Sequence, residues 1–127
     1  MKIAILGRSS HLLSTARFLH NQGHSIVIVG TADAEDYYSA KVDDFKAFAE
    51  MVGADFFKDK NLNSENRVRQ LIQSEAEVGV STNRPFILGE KCCSAPTFGI
   101  LNGHAGDLPR YRGNACPNWA ILNGEEK

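Results

Sequence analysis

Asn102 and His104 stand two residues apart, where the apolar run Gly99-Ile100-Leu101 gives way to a polar, glycine-rich segment. An asparagine NH₂ donates a hydrogen bond well to an oxygen that becomes negative, as an acyl oxygen does when a nucleophile adds to its carbon. A neutral imidazole accepts a proton from an attacking amine and returns one to a leaving nitrogen. Acyl transfer needs both roles. Residues two apart in an extended segment project to the same side, so amide and imidazole can face one reacting centre. Asn and His also bond to loop backbone in ordinary turns, so by residue type alone a turn-forming reading stands beside the catalytic one.

The elements that must position this pair follow from hydrophobic spacing. Ile3 to Leu6 is a continuous apolar run closed by Gly7, the pattern of a strand covered on both faces. Ser9 or Ser10 can cap a helix in which Leu12, Leu13, Ala16 and Leu19 recur at helical spacing, with Gly23 as its stop. Ile26 to Val29 reads as a second buried strand ended by Gly30, and strand, helix, strand with short joints implies a parallel pair. Phe45, Phe48, Ala49 and Val52 mark a second helix, ended by Gly53. Phe56 and Phe57 suggest a short strand, and Asn63 or Ser64 can cap a helix carrying Val68, Leu71 and Ile72. Val78 to Val80 and Gly99 to Asn102 are further strands, and Asn118 to Asn123 a last helix. The whole predicts one α/β domain over residues 1–127, with a Rossmann-like, doubly wound, mostly parallel sheet. Ligands of such sheets bind beyond the carboxyl ends of strands, where Asn102 and His104 fall. Sheets of this kind usually continue past the last helix seen here, so the domain is expected to be incomplete at its C-terminal side.

Several functions are disfavoured. Fourteen Lys and Arg against fifteen Asp and Glu give a net charge of -1, which asks for neither nucleic acid nor an anionic membrane as partner. No apolar run approaches the ~18 residues of a membrane span. Gly7-Arg8-Ser9-Ser10 lacks the second and third glycines of a dinucleotide fingerprint, although Asp33 stands where a ribose-reading acid would. The four His and three Cys show no metal-ligand spacing, so no metal is expected. An odd cysteine count with Cys92 and Cys93 adjacent suits reduced thiols and a cytoplasmic setting.

Asn102-Gly103-His104, then Leu108-Pro109 and Tyr111-Arg112-Gly113, resembles the signature of the 10-formyltetrahydrofolate-dependent formyltransferases. The likeness runs from the first strand to Lys127 and implies the formyltransferase fold, with 10-formyltetrahydrofolate as formyl donor. It implies that Asn102 stabilises the oxyanion and that His104 handles the proton. Ser81 to Leu88 would line the folate site, with the backbone of Phe86, Ile87 and Leu88 holding the pterin and Asn114 contacting folate or substrate. The family's third catalytic group, an Asp paired with the histidine, lies beyond the Arg-Gly in a loop that residues 1–127 do not reach; Asp107 falls at a variable position and is no substitute. The segment by itself is accordingly expected to be inactive.

Within that family, Ala105-Gly106 after the histidine and the downstream Asn118-Trp119 resemble the sugar N-formyltransferases of surface-polysaccharide synthesis. The resemblance implies a nucleotide-linked amino sugar as substrate; the oligomeric state is left open, a homo-oligomer included. Trp119 reads first as a helix-packing residue. Tyr111 and Arg112 can approach substrate or folate, and Arg110 serves equally as a surface residue. The alternatives are a methionyl-tRNA formyltransferase-like enzyme, a non-catalytic remnant of the family, and an unrelated α/β binding module, against which the signature argues.

Overall fold

Successive side chains of a β-strand face opposite ways, and in this chain both faces of the central strands are apolar, so helices must cover both. The computed structural model describes residues 1–83, 87–113 and 115–125. Strands β1 (Lys2–Gly7), β2 (Ser25–Thr31), β3 (Asp55–Lys58), β4 (Val78–Thr82) and β5 (Ile100–Gly103) form one sheet in the order β3-β2-β1-β4-β5. Every pairing is parallel. The helices are α1 (Ser10–Asn21), α2 (Val42–Val52), α3 (Glu65–Gln73), the single turn α4 (Glu90–Cys93) and α5 (Cys116–Leu122).

Ile3 and Ile5 of β1 and Ile26 and Val29 of β2 pack against Leu12, Leu13 and Ala16 of α1 and Phe45, Phe48 and Ala49 of α2. Ala4, Leu6 and Ile28 face the other way, joining Phe57, Leu62, Leu71 of α3 and Cys92 of α4. Ile26 and Val29 share a face despite their odd separation because the register slips: Ile3 pairs with Ile26, but Ala4 pairs with Ile28. Val27 is the extra residue of a bulge.

The expected cap of α1 and the expected stop of α2 are in place. Ser9 Oγ accepts the Leu12 N–H at 3.2 Å, and Gly53 closes α2 in the left-handed conformation at φ 73°. Three expectations need correction. Gly30 does not end β2, which runs on to Thr31; Gly30 pairs with both Leu6 and Phe57. Its missing side chain leaves room for the Phe57 ring, whose Cζ would stand 2.2 Å from a Cβ there. Ile72 is 56% exposed, because α3 turns Leu71 inward and the next residue lies about 100° further round. Trp119 does not pack a helix against the sheet; it is 56% exposed. Turn α4 was not anticipated, since four residues are too few to show a helical period.

Gly30→Ala should destabilise the fold by roughly 1–3 kcal/mol, the usual cost of overpacking a filled site. Denaturant titration measures this directly, and an unchanged midpoint would show that Phe57 can give way.

Candidate active site

One row of residues crosses the sheet from side to side: Phe57, Gly30, Leu6, Ser81 and Asn102 are successive partners in register. The row is apolar where helices cover it and becomes polar at β4 and β5. Paired residues of neighbouring strands share a face, so Asn102 projects to the side of the sheet that carries α3 and α4. Ile100, two residues earlier, packs into the Leu6–Phe57 cluster on that side, as alternation requires. Asn102 is exposed, and its carboxamide makes no hydrogen bond among the described residues. Ser81 beside it is fully buried, and its Oγ has no hydrogen-bond partner among the described residues.

His104 lies just past β5 and is half-buried. Its Nε2 is 2.7 Å from the Tyr111 carbonyl oxygen. A carbonyl can only accept, so Nε2 carries the hydrogen and the neutral ring keeps its basic lone pair on Nδ1. The carbonyl is itself held. Tyr111 Oη donates to Glu125 Oε1 at 2.9 Å and accepts from Asn123 Nδ2 at 3.2 Å. Arg110 forms an ion pair with Glu125, its guanidinium 5.1 Å from the Tyr111 ring centroid. The loop that carries the signature is thereby fastened to the end of α5. Gly106 has a packing reason of its own: a Cβ there would meet the Tyr111 oxygen at 2.6 Å and Cys116 Cβ at 2.7 Å. Arg112 is exposed and Asp107 accepts the Tyr111 N–H at its backbone oxygen, 2.7 Å.

Beyond β4, Leu88 returns to the same side of the sheet. Ile87 is 90% exposed, while Leu88 packs into the cluster of Leu6, Phe57 and Leu62. Phe86 and Asn114, both named above as folate contacts, lie outside the described residues, as do Arg84 and Pro85.

Where the strand order reverses, between β1 and β4, side chains tie the strand ends together. Ser9 Oγ and Thr82 Oγ1 are 2.7 Å apart. Arg8 donates to the Asn83 and Asp33 carbonyls, both at 3.1 Å, pairs with Glu35 at 2.9 Å, and lies 5.2 Å from the Tyr38 ring centroid. A backbone hydrogen bond, and after it the Arg8 guanidinium, hold the Glu35 carboxyl below its usual range. Arg8 therefore serves the loops at this edge, and neither its role nor that of the Tyr111 carbonyl was visible in residue types. Among the described residues no group of three or more His, Cys, Asp and Glu is placed to hold a metal, and no helix is long and apolar enough to cross a membrane.

The sequence pattern of the formyl transferase family matches residues 1–127, the entire length given. The chain belongs to the formyl transferase family. Members of this family use 10-formyltetrahydrofolate as formyl donor. Among formyl transferase relatives, the methionyl-tRNA formyltransferase of Herpetosiphon aurantiacus is 34% identical over 131 residues, covering 99% of this chain. That of Caldanaerobacter subterraneus is 30% identical over 131 residues, covering all of it. The chain spans 42% of the length of each of these two relatives. In fold, it superposes on a phosphoribosylglycinamide formyltransferase from Bacillus halodurans with a TM-score of 0.70 at 19% identity, over 97% of this chain and 66% of that one.

Proposed function

We propose that residues 1–127 form the N-terminal part of a formyl-transfer domain that passes the formyl group of 10-formyltetrahydrofolate to a primary amine, in the cytoplasm. The observation that carries this reading is the pair at the end of β5: an exposed Asn102 carboxamide with no hydrogen bond among the described residues, and His104 with its tautomer set so that Nδ1 is basic. As the amine lone pair adds to the formyl carbon, the Asn102 NH₂ stabilises the oxygen that turns negative. His104 accepts the proton the amine nitrogen must shed and delivers it to the departing folate nitrogen as the carbon–nitrogen bond breaks. The products are a formamide and tetrahydrofolate, with no proton gained or lost overall. Asn102 and Leu88 share one side of the sheet, which supports a donor lying between residues 87–88 and the end of β5.

For the acceptor we favour a nucleotide-linked amino sugar. Because Gly106 is demanded by packing, this choice rests on Ala105 and on Asn118-Trp119, where Trp119 is 56% exposed. Methionyl-tRNA is the second reading, favoured by the names of the relatives at 34% and 30% identity. The whole enzyme should be given 10-formyltetrahydrofolate with each acceptor in turn: dTDP- or UDP-linked amino sugars, and methionyl-tRNA. Tetrahydrofolate release that depends on an amino sugar is the expected result. Release with methionyl-tRNA alone would transfer the assignment to the second reading, and release with neither would leave the acceptor proposal without support.

A further inference from the structure

Asn63 precedes α3 and is exposed, and its residue type suggests a helix cap. The structure gives that position to Ser64, and the Asn63 side chain does something else. Its Nδ2 donates to the Ile87 carbonyl at 3.0 Å, and its Oδ1 accepts the Gly89 N–H at 2.6 Å. One carboxamide thus grips the chain on both sides of Leu88, as the peptide group of a neighbouring strand would. Both bonds reach more than 20 residues along the sequence, so they join separate elements rather than complete a local turn. Either end of the contact is anchored. Leu62, next to Asn63, is 2% exposed in the same apolar cluster that receives Leu88. The Asn63 N–H donates to Asn61 Oδ1 at 3.0 Å, which fixes the backbone from which the side chain departs. Gly89 suits the clamp, because a Cβ there would stand 3.2 Å from Asn63 Oδ1. The far end of the loop is held at Asn83 by Arg8.

We infer that Asn63 is a positioning residue for the formyl donor: its carboxamide holds the backbone of residues 87–89 in the conformation that receives the folate. The inference rests on the reading above that this loop binds the donor. Both side-chain bonds of Asn63 go to the backbone of this loop, so its loss should act on donor affinity and spare the chemical step.

The test compares the whole enzyme with Asn63→Ala and Asn63→Asp, titrating each with 5-formyltetrahydrofolate, a stable analogue of the donor, and measuring steady-state kinetics. Asn63→Ala should weaken analogue binding and raise KM for 10-formyltetrahydrofolate by about ten-fold, the scale of two lost hydrogen bonds. Both kcat and KM for the amine should stay within about two-fold on that same scale. Asn63→Asp keeps an acceptor for the Gly89 N–H but sets a charged oxygen against the Ile87 carbonyl, so donor binding should fall at least as far. Unchanged donor affinity in both variants, or a matching loss in kcat and in the amine KM, would overturn the inference while leaving the enzyme's function intact. If the unsubstituted enzyme itself fails to bind 5-formyltetrahydrofolate, the fault lies in the functional reading, and the inference falls with it.

Discussion

His104→Ala in the whole enzyme is expected to lower kcat by at least ~10²-fold, the usual scale for a positioned acid–base group. The amine nitrogen becomes cationic as it adds to the formyl carbon, and the folate nitrogen cannot leave readily without a proton. One imidazole between the two serves both needs. The histidine also has a structural duty, the 2.7 Å bond from Nε2 to the Tyr111 carbonyl, and an alanine removes both functions at once. His104→Gln separates them. A glutamine NH₂ can still donate to a carbonyl but cannot take up a proton. If proton transfer is the larger loss, glutamine is nearly as slow as alanine while thermal stability is largely retained. A glutamine variant with near-normal kcat would mean that His104 anchors the loop and that the proton travels elsewhere.

Asn102→Ala is expected to lower kcat by ~10²–10³-fold, or ~3–4 kcal/mol, the measured range for removing one donor to a developing oxyanion. The interaction strengthens only as the oxygen becomes charged, so the loss should fall on kcat more than on KM. Stability offers a second readout. The side chain is exposed and makes no hydrogen bond among the described residues, so its removal should change folding free energy by less than about 0.5 kcal/mol. A variant of normal stability and sharply reduced kcat is the signature of a group that acts on the transition state. Loss of stability in step with activity would instead make Asn102 a structural residue of β5.

The strands were legible in the sequence because burial on both faces leaves unbroken apolar runs, as at Ile3 to Leu6. The helices at Leu12–Ala16 and Phe45–Val52 were legible because an amphipathic stripe has a period of its own. Gly30 was misread because a glycine after an apolar run looks like a stop; its true reason is the Phe57 ring on the neighbouring strand, which only the pairing reveals. The same limit applies around the site. Asn102 and His104 were visible as a type-and-spacing pattern at a strand end. The contacts that hold them were not, because the Tyr111 oxygen, the Ile87 oxygen and the Gly89 N–H are backbone groups that every residue carries. Asn63 illustrates this: its side chain suggested a helix cap, and tertiary pairing put it on a loop 24 and 26 residues away.

The central claim is that a formyl carbon passes intact from folate to an amine at the end of β5. Isotope tracing tests it most directly. The whole enzyme is supplied with 10-formyltetrahydrofolate labelled at the formyl carbon and with the amine acceptor that supports tetrahydrofolate release, and the label is followed by NMR. The expected result is one labelled formamide per tetrahydrofolate formed, with the rate reduced at least ~10²-fold in Asn102→Ala. Label appearing in free formate or carbon dioxide while the amine remains unmodified would contradict the account, since it would show hydrolysis or oxidation of the donor in place of transfer.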